Sequence, residues 1–442
     1  MIRKLLCAAG AIGASLCVAT AAWAQDAAAA AVPVANPGNN AWMMTSTLLV
    51  LMMIVPGLAL FYGGLARSKN MLSVMTQVGA VAALTMLVWV MWGYTEAFGD
   101  GGNGFISGFG KAFLKGVTPE STAATFTKGV VISEYVFVCF QMTFAAITVA
   151  LVLGSVVERI KFSAVMVFAV VWLTIVYFPI AHMVWAGNGY FFGLGALDFA
   201  GGTVVHINSG VSALVACLIL GKRIGYPKEP MMPHSLTLTS VGTGLLWVGW
   251  FGFNAGSALE ANGSAGLAMV NTFVATASAG IFWMLTERVM GHKSSALGFC
   301  SGIVAGLVAV TPAAGNSGPM GAIVLGAVAS VICYFAVSKL KPALGYDDAL
   351  DTFGIHGIGG MVGAIGTGIV YQPMFGGPGD GSVSMGHQLG VQLFTVGATI
   401  AIAAVGTAVA IYVAKAVTGL RVSPDVEVEG LDIGEHGERA YN

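Results

Sequence analysis

Apolar residues run through this chain in stretches of about twenty, and polar residues gather in the short gaps between them. Eleven such stretches stand out, at 41–66, 72–95, 129–157, 162–185, 203–220, 236–257, 265–285, 296–312, 320–338, 353–371 and 387–415. A bilayer core is about 30 Å thick, and about twenty helical residues cross it. Each stretch therefore predicts a transmembrane helix. The expected fold is an all-α polytopic membrane protein.

The first forty residues follow another pattern. Arg3 and Lys4 precede an apolar run from Leu5 to Val18, and Ala22-Trp23-Ala24 gives a small-x-small cleavage site. That order predicts a signal peptide over 1–24. Residues 25–40, polar and containing Pro and Asn, read as a periplasmic segment before the membrane domain of 41–415. Residues 416–442 form a polar tail.

Composition narrows the class. Hydrophobic residues make up 57% of the 442 positions and charged residues only 9%. A soluble domain carries about 25% charged residues, so a water-soluble globule is excluded. A net charge of −1 lacks the basic face that nucleic-acid binding requires. The 62 glycines suit helices that approach closely in lipid.

The basic residues then set direction. Fourteen of them, from Arg67 and Lys69 through Arg159, Lys161, Lys222 and Arg223 to the tail residues Lys415, Arg421 and Arg439, fall in alternate connections or the tail. Only Lys111, Lys115 and Lys128 fall in the other connections. The positive-inside rule places the tail and the basic loops in the cytoplasm and the mature N-terminus outside. An odd number of spans agrees with that. No lysine or arginine lies well inside a span, which excludes a Schiff-base lysine and an arginine voltage sensor. Cys139, Cys217, Cys300 and Cys333 lack metal-type spacing and read as buried packing thiols. No metal or other cofactor is expected.

Histidines inside spans carry the sharpest signal. His206 lies in the fifth stretch and His356 in the tenth, and each follows an aspartate, Asp198 or Asp348, by eight residues. Both run into small residues, Asn208-Ser209-Gly210 and Gly357 to Gly360. Five spans per half is odd, so the second half enters from the opposite face. The expectation is two inverted five-helix repeats, about 41–220 and 236–371, plus a long eleventh helix. Neutral imidazoles each donate once and accept once, which suits a small polar solute. His182 and His387, unpaired in this scheme, read as packing groups. Asp198 stands before Phe199-Ala200-Gly201-Gly202, where it can cap the fifth helix or attract a cation; the cap is the preferred reading, with Asp348 its counterpart. Aromatic clusters at 140–144, 182–185 and 250–257 serve as packing or as a cation–π vestibule.

Several segments together resemble the ammonium transporter (Amt/Mep/Rh) family. They are Phe61-Tyr62-Gly63-Gly64, Glu158-Arg159-Ile160, Ala181-His182-Met183-Val184-Trp185, Asp198 to Asn208, Gly249 to Ser257, and Phe353-Gly354-Ile355-His356-Gly357. The tail, with Gly419-Leu420-Arg421-Val422 and Glu429-Gly430-Leu431-Asp432, is similar to the endings of bacterial Amt members. The resemblance implies a transporter rather than an enzyme, in the bacterial inner membrane, assembled as a homotrimer with one pore per subunit. By motif, Trp185, Phe144 and Ser257 would bind ammonium or methylammonium, Phe144 and Phe253 would gate the pore, and His206 and His356 would line it. The role of Asp198 stays open between structure and cation attraction. The tail would be regulatory and meet a PII-type signalling protein. Two other classes compete: a haem protein using membrane histidines as axial ligands, and an ammonium sensor that transports little.

Overall fold

The computed structural model describes residues 33–441. The expected signal peptide and residues 25–32 lie outside the described residues. Among the described residues, eleven helices are long and apolar enough to cross a membrane: Pro37–Leu65, Ser68–Phe98, Glu134–Leu153, Phe162–Gly193, Gly202–Leu220, Leu236–Gly256, Gly263–Val289, Ala296–Ala313, Pro319–Leu344, Phe353–Val370 and Met385–Thr418. They follow the eleven apolar stretches in order and form two inverted repeats of five, with the last helix laid alongside. These are called spans one to eleven below.

Several boundaries and two side chains differ from expectation, the boundaries of spans one and three among them. Span one starts at Pro37, inside the segment expected to precede it, because the Asn36 side chain accepts the Asn39 N–H at 3.0 Å and Pro37 suits the first helical turn. Span three is Glu134–Leu153 rather than 129–157. Val131–Ser133 pairs instead with Thr122–Ala124 as an antiparallel hairpin, and Gly154 to Val157 turn toward Glu158. The helix of span four ends at Trp185, as expected, and after an extended Ala186 a separate short helix, Tyr190–Gly193, follows. Cys139 is exposed, not a packing thiol, because it shares an outward face of span three with exposed Tyr135, one turn earlier. His387 is also exposed, at the first turn of span eleven, so packing is not its role. Cys217, Cys300 and Cys333 are buried.

Charge is concentrated on the face of the molecule that carries the basic loops. Glu158, held at a positive φ of 72°, accepts from the Arg67 backbone at 2.7 Å and pairs with the guanidinium groups of Arg67 and Arg223. Arg223 also pairs with Asp347 at 2.7 Å. Burial opposes ionisation of Glu158 and Asp347, but the arginines hold both carboxyls below the usual carboxylate range. One ion network thus ties four connections, from both repeats, into a single plate.

The tail closes over this plate. Arg421 pairs with Glu427 and donates to the Lys222 carbonyl at 2.7 Å, while Glu427 accepts the Ile224 N–H. Spans two and four have no side-chain cap within their own sequence at this end. The tail supplies them: Asp432 accepts the Ser73 N–H at 2.7 Å, and Glu435 accepts the Phe162 N–H at 2.8 Å. A carboxylate at a helix N-terminus satisfies a free N–H and meets the positive end of the helix dipole. Glu435→Ala should therefore cost about 0.5–2 kcal/mol locally. Hydrogen exchange should quicken in the first turn of span four and stay unchanged in its middle; equal protection in both forms would contradict the cap.

Candidate functional site

Spans five and ten enter from opposite faces, yet their histidines meet. Each histidine sits in a π-helical turn that opens its helix, Gly202–Ile207 and Phe353–Gly357. Residues 201–213 are all buried, so the start of span five is sunk into the bundle rather than resting at its surface. The two helices cross where side chains are absent. A Cβ on Gly210 would lie 2.1 Å from the Gly357 nitrogen, and one on Gly360 would lie 3.0 Å from the His206 Cβ. Glycine at 210 is a requirement of this approach.

The crossing brings the Nδ1 atoms of His206 and His356 to 3.2 Å, a hydrogen bond. One nitrogen must donate and the other accept, so the two imidazoles cannot both be cationic. The donor at Nδ1 keeps an acceptor at its Nε2, and the acceptor at Nδ1 keeps an N–H at its Nε2. The pair therefore presents one acceptor and one donor. His206 stacks on Trp250 with ring centres 5.4 Å apart, and Trp250 is fixed by donating to the Thr311 hydroxyl at 2.9 Å. The contact leaves no gap for a metal between the two bonded nitrogens.

Three cavities lie along this axis. The one on the face away from the tail is about 700 Å³ and is lined by Phe144, Trp185, Asp198 and Ser257, with Phe140, Gln141 and Asn316. The middle one, about 10 Å³, has room for one small molecule and is walled by His206, His356, Phe253, Trp250, Ile147 and Leu151 among other apolar groups. The third, about 360 Å³, opens on the basic face and shares His356 and Phe61 with the middle one. Between the first and second stand Phe144 and Phe253, stacked at 4.1 Å and 13°. No charged side chain lines the middle cavity.

The sequence-predicted residues fall around this axis as follows. Trp185 meets Phe144 edge-on at 5.7 Å, and its indole N–H donates to the Asp198 carbonyl at 2.9 Å, which fixes the ring over the mouth. The Ser257 hydroxyl donates to the Phe253 carbonyl at 2.8 Å, leaving its lone pairs free to accept. Asp198 accepts four N–H groups, from Gly201, Gly202, Thr203 and Val204, at 2.6–3.0 Å. Burial pushes its carboxyl up and those four donors pull it back. The geometry is that of a helix cap. Gln392 of span eleven holds the same loop, accepting the Leu197 N–H and donating to the Leu197 and Ala364 carbonyls. His182 is buried between the Ala97 and Asn103 carbonyls, away from the axis. Asp348 accepts the Phe353 N–H at 2.7 Å, a partial counterpart of the Asp198 cap.

Two contributors were not singled out from the sequence. Trp250 appeared only within an aromatic cluster, and its stacking on His206 depends on a helix rotation that hydropathy does not reveal. Gln392 is a lone amide in a long apolar helix, and an amide in lipid is itself a signal of a buried partner. Among the described residues no group of three or more His, Cys, Asp or Glu side chains could hold a metal ion.

Comparison with known proteins agrees with this architecture. Residues 41–441 match the model of the Ammonium Transporter Family. An ammonium transporter of Aquifex aeolicus is 48% identical over 92% of this chain and 94% of its own length. One of Bacillus subtilis is 43% identical over 91% of this chain and 98% of its own. Among solved structures, a sensor Amt protein superposes with a TM-score of 0.83 at 28% identity, covering 90% of this chain and 98% of its own. Mep2 of Saccharomyces cerevisiae gives a TM-score of 0.79 at 36% identity, over 88% of this chain and 91% of its own.

Substituting alanine at Gly210 tests the crossing. Its methyl has no space beside Gly357, so Gly210→Ala should lower stability by about 1–3 kcal/mol. Thermal unfolding in detergent would show it; an unchanged midpoint would contradict so close an approach.

Proposed function

This chain belongs to the ammonium transporter family, a family of transporters and not of enzymes, and on that premise we propose that it strips ammonium of a proton and conducts ammonia past the histidine pair. The observation that carries the reading is the narrow middle cavity, lined by no charged side chain and by two coupled imidazoles, set between two larger ones.

Energetics favour proton loss. Moving an intact cation into an apolar passage costs tens of kcal/mol if nothing compensates, on the order of a Born estimate. A cation–π contact returns about 2 kcal/mol when desolvated. Ammonium resembles a lysine ammonium as an acid, and desolvation lowers such pKa values by up to roughly 3–5 units. Deprotonation at the stacked phenylalanines, with the proton passed to water in the entrance cavity, is therefore the cheaper route.

Each residue then has a role. The Trp185 and Phe144 rings face the cation, and Ser257 accepts one of its N–H groups. Phe144 and Phe253 exclude water and move apart to admit the substrate. Ammonia, with one lone pair and three N–H groups, matches the one acceptor and one donor that His206 and His356 present. Asp198 acts mainly by fixing the entrance loop, and its charge draws cations to the mouth. Net charge transfer follows where the proton also crosses. Methylammonium fits the same chemistry.

The surrounding expectations are carried as part of this reading. The distribution of lysine and arginine supports a tail in the cytoplasm, and the bacterial relatives support an inner-membrane protein. The family supports a homotrimer and a PII-type protein at residues 416–442. The sensor Amt neighbour favours a second reading in which ammonium occupancy is also signalled through that tail.

Two measurements test the roles. Trp185→Ala should raise the apparent Km for ammonium by about 2- to 30-fold, the equivalent of about 0.5–2 kcal/mol of cation–π energy. Replacing His206 or His356 by leucine should change the rate and the ammonium-over-potassium selectivity of currents in proteoliposomes; wild-type values for both would contradict the role of the pair.

A further inference from the structure

Lys111 runs against the charge pattern of the chain, being one of the few basic residues in the connections opposite the basic face. It is held at both ends. Its backbone N–H donates to the Thr95 hydroxyl at 3.0 Å, and its Nζ donates to Glu134 Oε1 at 2.7 Å. The exposed Asp100 lies 3.6 Å from the same Nζ. Lys111, Glu134 and Tyr94 all line the entrance cavity of about 700 Å³.

Glu134 is the first residue of span three and is only 5% exposed. A carboxylate there meets the positive end of the helix dipole. Its Oε1 takes two donors, Lys111 and the Tyr94 hydroxyl, each at 2.7 Å. Among the described residues no hydrogen bond falls on its Oε2. The Tyr94 hydroxyl gives its one proton to Glu134, so its own lone pairs can still accept. One turn along span three, the Phe137 ring meets that of Tyr94 edge-on at 6.5 Å. Two turns from Glu134 comes the buried Gln141, whose Oε1 has no partner. Glu134, Phe137, Gln141 and Phe144 recur at helical spacing and all line this cavity, so one face of span three leads from its mouth to the stacked phenylalanines. Ten residues of helical rise make that path about 15 Å long.

The Lys111 head group carries the chemistry that these oxygens accept. It is an alkylammonium, with one positive charge, three N–H donors and no acceptor. Ammonium has the same charge and four N–H donors, so oxygens that hold one can hold the other. Burial works against the Lys111 charge, yet Glu134 and Asp100 outweigh it and raise the pKa of the amine. The surroundings of Glu134 therefore favour a cation.

We propose that Glu134 and Tyr94 form an outer binding site for ammonium and methylammonium at the mouth of the entrance cavity, with the Lys111 ammonium as its tethered occupant. The site rests on the reading that ammonium enters through this cavity, and it lies outside the group of Trp185, Phe144 and Ser257. An arriving ammonium takes the place of Lys111 on Glu134, and Lys111 moves to Asp100. A group tethered by a short flexible segment competes at an effective concentration on the order of millimolar. That competition keeps the hold on substrate weak, so ammonium passes on to Gln141 and the aromatic rings.

The test records currents from the full-length protein in liposomes at low ionic strength, with ammonium chloride as the probe. Glu134→Gln keeps an acceptor for Tyr94 but removes the charge, and should raise the half-saturation concentration about 2- to 5-fold. Lys111→Met removes the competitor and should lower it about 2- to 5-fold. The double variant should match Glu134→Gln alone. A purely structural ion pair would move both single variants in the same direction; that result, or no shift in either, would overturn the site. A lowered value on adding Lys111→Met to Glu134→Gln would overturn it too, since Lys111 would then act only as a diffuse charge. Should Glu134→Gln fail to fold, Lys111→Met decides alone: a lowered value supports the site, and an unchanged or raised one overturns it. Opposite shifts at Glu134 and Lys111 beside an unchanged Trp185→Ala would instead remove the aromatic-site reading and leave the outer site standing.

Discussion

The hydrogen bond between His206 and His356 is the contact on which the rest of the molecule depends. It requires two helices of opposite direction to start deep in the bundle, in π-helical turns, and to cross at glycines. It requires Trp250 to back one ring and Thr311 to hold Trp250. The bond also limits the charge of the middle cavity. Two imidazoles sharing one proton between their Nδ1 atoms cannot both be cations, so the cavity is polar without being doubly charged.

Charge is kept elsewhere, and its placement is structural. On the basic face, Arg223 joins Glu158 to Asp347 and so joins the two repeats. Buried ion pairs contribute little net stability against apolar replacements, but breaking one leaves a costly orphan. The plate is therefore a register device that fixes the loops from which spans two, four, six and ten begin. The tail adds its own carboxylates to two of those helix starts. A change in the tail thus reaches the membrane helices through their first turns, without any contact in the pore.

Much of this was legible in the sequence because lipid leaves few choices. Twenty-residue apolar runs gave the spans, and the matched Asp-to-His spacings of eight gave the inverted halves. What hydropathy could not supply was rotation and local turn. Cys139 and Tyr135 look as apolar as their neighbours, yet they face outward. Residues 131–133 are apolar enough for a helix, but their pairing with 122–124 makes them a strand. Pro37 reads as a polar-segment residue until Asn36 is seen to cap it. The symmetric spacing of Asp198 and Asp348 also concealed a difference, since only the structure shows four N–H donors on one and an unpartnered oxygen on the other.

The central claim is that the substrate gives up its proton before it meets the histidines. Potassium has the same charge as ammonium and no proton to lose. Currents from the wild-type protein in liposomes on a solid-supported membrane compare the two directly at one concentration. The account predicts a current with ammonium and none with potassium; a potassium current comparable to that of ammonium would contradict it.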